Sequence, residues 1–506
     1  MKLINNSFRL FQFGLQSKTH HRRFCGYNIF RIHQCQTDFK QVRLFSKLNY
    51  EVPDTDLRLI SDTIFEIYKD NANEIQLSTL HNALLEQGIR CKTDPRFSTF
   101  QTNLADWKES KKSENLDGTK CNKDELFSLI GDSTCLEVIT KTLGRQCIIP
   151  DFQSFSSKIH AIFDSVRHCD TGSLASYIPQ LAKEDPTKFG MSLCTVDGQR
   201  IAIGDAEIPF CLQSCMKPFQ YAIAVSNYTS QYVHQHIGKE PSGNMFNAIM
   251  LNQEDQPHNP MINAGALVVC SLIKPELPVA ERYVHVQNII SDMAAGEYTS
   301  FHNAVFQSEK ATSYRNFALA YLLKEKNCFA DGTSVEETVD LYLQLCAFKM
   351  TCSSASVAAA TLANGGVCPL KPERRILNSD AVRNTLALMH SCGMYDYSGV
   401  FAFHVGLPAK SGVAGGLMLV IPKVMGVTIW SPLLDEKGNS MRGLEFCREL
   451  VEQYNLHAYD NLRYSERKSD PRVLKRALTD NEICLLSSYA QLKSIERQHT
   501  HHLNLV

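Results

Sequence analysis

The longest apolar run in this chain, 413–430, is interrupted at Pro422-Lys423. A proline there removes a backbone donor and stops a helix. The run therefore reads as two buried strands joined by a turn, not as a bilayer-crossing helix. Further strand-like runs occur at 190–196 and 401–405. Val196-Asp197-Gly198-Gln199 reads as a hairpin turn leading into Ile201-Ala202-Ile203-Gly204. These strands sit at the two ends of a body spanning 145–460. Helical patterns fill its middle, for example at 355–362 before the turn Asn364-Gly365-Gly366. The distribution predicts an α+β domain, with an antiparallel sheet assembled from both ends and a helical subdomain inserted between them.

A small helical domain is expected over 55–135. Leu57, Ile60, Ile64 and Ile67 recur at helical spacing, and Leu77, Leu80, Leu84 and Leu85 do so again. Ser113-x-Asn115-x-Asp117-Gly118 follows part of an EF-hand loop. Ser replaces the first Asp, however, Lys120 takes the usual apolar position, and Asp124 replaces the bidentate Glu. This pattern predicts an EF-hand-like helix pair without calcium. Ahead of it, residues 1–37 carry six Lys and Arg and no Asp or Glu. With Arg43-Leu44-Phe45-Ser46 resembling a matrix-processing site, 1–45 reads as a mitochondrial transit peptide, with a disordered basic arm as the other reading. Residues 461–506 read as a polar, mobile tail carrying one helix.

At 506 residues and 44% hydrophobic content the chain suits two or three domains with a sizeable core. A net charge of −1 gives no electrostatic reason for a nucleic-acid partner. The 18 cysteines include no Cys-x-x-Cys pair and sit in apolar settings such as Leu343-Gln344-Leu345-Cys346. They read as free buried thiols in a reducing compartment, with no zinc site and no cofactor.

Chemistry is suggested by Phe210-Cys211-Leu212-Gln213-Ser214-Cys215-Met216-Lys217-Pro218-Phe219. On a helix, Ser214 and Lys217 share a face. A neutral Lys217 can then take the Ser214 proton and make the serine a nucleophile. Pro218 fits only near a helix start, which places Ser214 at an exposed helix N-terminus. Alone, the spacing is weak, and a surface helix start with a solvated lysine is its more frequent meaning in a long chain. A second motif, Lys410-Ser411-Gly412, precedes the apolar run. An upstream Ser-x-x-Lys with a downstream Lys-Ser/Thr-Gly on an edge strand is the pairing of penicillin-binding and β-lactamase-type serine acyl enzymes. In that arrangement the N–H groups of Ser214 and Val413 would form an oxyanion hole.

Several long segments carry a more specific resemblance. The Ser214 stretch, Pro257-His258-Asn259-Pro260-Met261-Ile262-Asn263-Ala264-Gly265-Ala266, Ser391-Cys392-Gly393-Met394-Tyr395-Asp396 and Leu407-Pro408-Ala409-Lys410-Ser411-Gly412-Val413-Ala414-Gly415-Gly416 resemble the motifs of the glutaminase family, in order, over about 145–460. The animal mitochondrial, phosphate-activated members are the most similar. The resemblance implies a serine β-lactamase/transpeptidase-like catalytic domain that hydrolyses L-glutamine to L-glutamate and ammonia. It implies Ser214 as nucleophile, Lys217 as base and Tyr395 as proton-transfer partner. Tyr177 would lie near the substrate amide, and Asn263, Glu309, Asn316 and Tyr342 would bind the amino-acid end. It also implies homodimers and homotetramers, extending to filaments, with inorganic phosphate as activator, and a loop at 243–260 that couples assembly to activity. That loop carries Phe246, Ile249 and Met250, and Met250 stands where kidney-type relatives have an aromatic.

Each residue also has a plainer reading. Tyr342 fits a core position, Asn263 a helix cap and Glu309 a solvated surface charge. Two rival functions are a related serine amidohydrolase or peptidase without a zwitterion clamp, and a non-catalytic scaffold. Glu309 with Asn263 and Asn316 speaks against the first, and the presence of Ser214, Lys217 and Tyr395 against the second.

Overall fold

The computed structural model describes residues 54–111, 119–243, 247–460 and 467–503. The expected transit peptide, the loop motif at 113–118, and Phe246 lie outside these residues. Five antiparallel strands form the central sheet, in the spatial order Ala409–Ser411, Gly416–Ile421, Met425–Trp430, Gly190–Thr195 and Arg200–Gly204. The sheet is thus assembled from both ends of the catalytic body. Its seam is continuous, with Met425 opposite Thr195 and Trp430 opposite Gly190.

Alternation along Gly416–Ile421 explains the apolar run. Leu417, Leu419 and Ile421 enter a core shared with the helices Phe152–Val166 and Met441–Gln453. Met418 and Val420 point the other way, into the core beneath the helix Cys352–Ala363. A strand covered on both faces has no polar side, so its sequence is apolar throughout. The Cys352–Ala363 helix starts with a capping box between Thr351 and Ser354 and consists largely of small residues. Small side chains let its backbone lie directly on the sheet. A Cβ on Gly426, in mid-strand, would come within 2.2 Å of the Ala360 nitrogen.

Residues 401–405, expected as a strand, instead form the last part of the helix Ser398–His404 and its C-cap, Val405. Phe401 and Val405 are buried while Phe403 between them is 79% exposed. Burial every fourth residue is the helical period, and a five-residue apolar run is too short to reveal it in sequence. Between the two sheet-forming segments, the helices Lys217–Asn227, Asn263–Leu272, Val279–Met293, Tyr314–Glu325, Val335–Cys346 and Ser379–Cys392 surround one apolar core.

The helical region nearer the N-terminus includes Asp54–Tyr68, Leu77–Glu86, Lys123–Ile130 and Ser133–Leu143. Ile75–Gln76 pairs antiparallel with Lys120–Cys121. The Lys120 ammonium rests on Asp70, whose other carboxylate oxygen accepts the Ala72 and Glu74 amides. The expected tail is only partly free-standing. Its helix, Asp480–Leu503, buries Leu485 and Leu492 in the same core as Ile64, Phe65 and Leu136. The seven-residue spacing of these leucines puts both on one helix face. The expected hairpin turn after Gly190–Thr195 is wedged against this helical region. Arg96 donates to the Asp197 carbonyl at 2.8 Å, and Gln199 Nε2 donates to the Gln87 and Ile149 carbonyls at 3.1 and 3.0 Å. Among the described residues no helix is long and apolar enough to cross a membrane.

Replacing Gly426 by Ala forces a methyl group into the Ala359–Ala360 backbone and is expected to cost about 1–3 kcal/mol. Gly399→Ala, in the Ser398–His404 helix with nothing within 4 Å of the added Cβ, is the control and is expected to be neutral or slightly stabilising. Urea unfolding of both variants checks this; equal midpoints would show that the helix does not press on the sheet as described.

Candidate active site

A 3₁₀ turn, Gln213–Met216, runs straight into the Lys217–Asn227 helix, with Pro218 in its first turn, where no donor is missed. The pair brings Ser214 to a cavity of about 310 Å³. Ser214 is 7% exposed, not on an open helix end as its sequence position suggested. The Val335–Cys346 helix and the end of the Ala409–Ser411 strand pack against the turn and enclose it.

Lys217 Nζ lies 2.6 Å from Ser214 Oγ and 3.1 Å from Asn263 Oδ1, with the Tyr342 ring centroid 5.7 Å away. Both hydrogen-bond partners are neutral and the lysine is 1% exposed. Burial therefore pushes its pKa down. In the neutral amine one N–H serves Asn263, and the lone pair is left for the serine proton. Tyr395 approaches Ser214 from the side of a second cavity of about 250 Å³. Burial raises its pKa, opposed by its hydrogen bond with Ser214.

Glu309 is buried too. One of its oxygens accepts the Tyr177 hydroxyl at 2.7 Å and the Gln213 amide at 3.0 Å. Burial raises its pKa, and these two bonds oppose the rise. Asn263 Nδ2 donates to Asn316 Oδ1 at 3.2 Å. Its helix is preceded by Ile262 at the cap position, so the Asn263 side chain serves the site, not the helix end. Tyr177, Ser214, Asn263, Glu309, Asn316, Tyr342 and Val413 all line the first cavity. Gly412 allows the strand end carrying Val413 to approach, since a Cβ there would lie 2.6 Å from the Leu212 carbonyl oxygen. Ile249 and Met250 are exposed on the nearby loop.

Three residues near the site drew no role from sequence. Gln213, with φ +49°, orients Glu309. Arg315 lines the cavity beside Asn316. Lys410 is fully buried, donates to the Gly393 and Ser411 carbonyls at 2.9 and 2.8 Å, and lies 4.4 Å from the Tyr395 ring centroid. Burial, reinforced by repulsion from Lys217, lowers its pKa to about 7. The Lys410-Ser411-Gly412 motif pointed to this lysine; nothing local in sequence pointed to the other two.

A buried Ser–Lys pair between an antiparallel sheet and a helical half, with a Lys-Ser-Gly strand beside it, defines a serine acyl-transfer enzyme of the β-lactamase-like fold. Comparison with known proteins narrows the class. The Glutaminase family model matches residues 172–459, and an EF-hand domain model matches 60–150. The chain is 48% identical to the mitochondrial liver isoform of glutaminase from Rattus norvegicus over 413 residues, covering 82% of this chain and 67% of that one. It is 47% identical to putative glutaminase 3 of Caenorhabditis elegans over 420 residues, covering 81% and 70%. The crystal structure of Mglu in its native form superposes with a TM-score of 0.56 at 38% identity, covering 60% of this chain and 72% of that one. The chain belongs to the glutaminase family and is an amidohydrolase.

The Lys410 environment sets a pH dependence of stability. An unfolded lysine keeps its proton up to about 10.5, whereas folded Lys410 releases it above about 7. Between these values the unfolded state binds more protons, so stability rises with pH. The unfolding free energy of the wild type, relative to Lys410→Met, is expected to increase from pH 7 toward pH 10. Denaturant unfolding across that range tests it, and parallel curves for the two proteins would contradict it.

Proposed function

We propose that the site hydrolyses L-glutamine through a glutamyl ester on Ser214. The observation that carries this is the 2.6 Å contact of a buried lysine with Ser214 in a cavity that also holds one buried carboxylate, Glu309. The Glu309 carboxylate suits the substrate ammonium, and the Asn263 and Asn316 amides suit its carboxylate. Ser214 Oγ attacks the side-chain amide carbon as its proton passes to Lys217 Nζ. The Ser214 and Val413 N–H groups hold the oxyanion. Ammonia leaves after receiving a proton from Lys217 by way of the Tyr395 phenol. Water then cleaves the ester with the same groups acting in reverse. Tyr342 walls the amino-acid end, and Tyr177, expected near the substrate amide, stands there as well, since its hydroxyl donates to Glu309. None of these steps calls for a metal or organic cofactor.

The basic, acid-poor segment at 1–37 and the mitochondrial isoforms among the relatives support a mitochondrial matrix location with processing near Ser46. The exposed Ile249 and Met250 beside the site support self-association into dimers and tetramers; phosphate as activator rests on the family resemblance alone.

Ammonia release from L-glutamine is expected for protein beginning near Ser46. Ser214→Ala is expected to abolish turnover, and Lys217→Ala to lower kcat by about 10³-fold or more. The wild-type rate should rise with pH through a Lys217 pKa below 10.5. A folded Ser214→Ala enzyme that still turns over would remove the serine from its role. Phosphate is expected to shift sedimentation from dimer to tetramer, and import into isolated mitochondria is expected to be followed by cleavage near Ser46. An unchanged sedimentation profile would defeat the assembly reading, and retention of the basic segment after import would defeat the processing one.

A further inference from the structure

The substrate read above is a zwitterion, and the cavity is unevenly equipped for one. Its ammonium meets Glu309. Its carboxylate meets only neutral amides, Asn263 and Asn316. The nearby cation, Lys217, must be neutral to accept the serine proton, and its environment favours that form. A Glu309 carboxylate beside a Lys217 amine in the proton-free form that the serine step requires would leave the inner site with a net negative charge. That charge repels an incoming carboxylate, and more strongly in a low-dielectric cavity than in water.

One residue answers this imbalance. Arg315 stands in the first turn of the Tyr314–Glu325 helix, next to Asn316, and lines the same cavity. Glu309 and Arg315 are the two charged residues in the lining. Arg315 is exposed, and among the described residues no carboxylate or carbonyl holds its guanidinium. Its neighbour in charge, Lys310, is by contrast bound to Asp340 at 2.7 Å. An arginine left unpaired at the mouth of an otherwise anionic cavity, beside the amide that receives a carboxylate, has the chemistry of a carboxylate receptor.

We propose that Arg315 recognises the free α-carboxylate of the substrate, drawing it to the mouth and balancing the charge of Glu309 while Asn316 and Asn263 fix its orientation. This rests on the glutamine reading above. Arg315 is a binding and specificity residue; it does not touch the reacting amide.

The test compares wild type, Arg315→Ala and Arg315→Lys on L-glutamine and on L-glutaminamide, in which the α-carboxylate is replaced by a neutral amide. Arg315→Ala is expected to raise KM for L-glutamine about fivefold to tenfold with kcat within about twofold, and Arg315→Lys to recover part of the loss. KM for L-glutaminamide should not move. Raising added salt from about 20 mM to about 500 mM should weaken kcat/KM of the wild type and leave Arg315→Ala nearly flat. An unchanged KM for L-glutamine, or an equal rise for both substrates, overturns the proposal. Failure of the wild type itself to hydrolyse L-glutamine overturns instead the reading on which it rests.

Discussion

A lysine amine buried without a carboxylate is the condition on which the rest of this molecule depends. Lys217 is held against Ser214 and Asn263 by a helix whose every residue from Lys217 to Val225 is buried. In water an ammonium would be the stable form. Here desolvation is the dominant influence on its pKa and pushes it downward. A nearby acid would undo this by stabilising the charge. The one carboxylate in the cavity is accordingly occupied elsewhere, taking hydrogen bonds from Tyr177 and Gln213.

The same logic extends to the second lysine. Lys410 is as deeply buried and is satisfied by two backbone carbonyls and the face of Tyr395. Two ammonium groups so close would repel each other, so a protonated Lys217 lowers the pKa of Lys410 further. Backbone strain accompanies this arrangement. Gln213 and Tyr395, on either side of Ser214, both have positive φ, at 49° and 53°. Neither is glycine, and such conformations cost on the order of 1–3 kcal/mol each. Enclosure by the Val335–Cys346 helix and the Ala409–Ser411 strand holds them in place.

How much of this was legible in the sequence depends on the distance over which each feature is encoded. The strands at 190–195 and 416–430 were visible because strands buried on both faces are largely apolar, and the one at 200–204 because a turn signal precedes it. The Ser-x-x-Lys spacing was visible because one helical turn fixes it. The Ser398–His404 helix was not, since five residues cannot separate a period of two from one of 3.6. The burial of Ser214 was hidden for a different reason: the elements that cover it lie more than a hundred residues downstream. Glu309 and Asn316 could be singled out only through family resemblance, and Gln213 and Arg315 not at all, because their surroundings are created by the fold. A helix in the tail was expected, but the packing of Asp480–Leu503 was masked by its polar composition, since Leu485 and Leu492 share its buried stripe with Glu482 and Ser488.

The way the chain closes on itself has a consequence for its birth. The sheet strand Gly190–Thr195 finds its partner in Met425–Trp430, and the core around Ile64 and Leu136 is completed by Leu485 and Leu492. On a ribosome, neither the catalytic sheet nor the helical region can be finished while synthesis is under way. Each waits for residues made long after its own first elements. Until then Met191, Leu193 and the apolar faces of the early helices stay uncovered. A chain built in this order must be kept from aggregating until those later segments emerge.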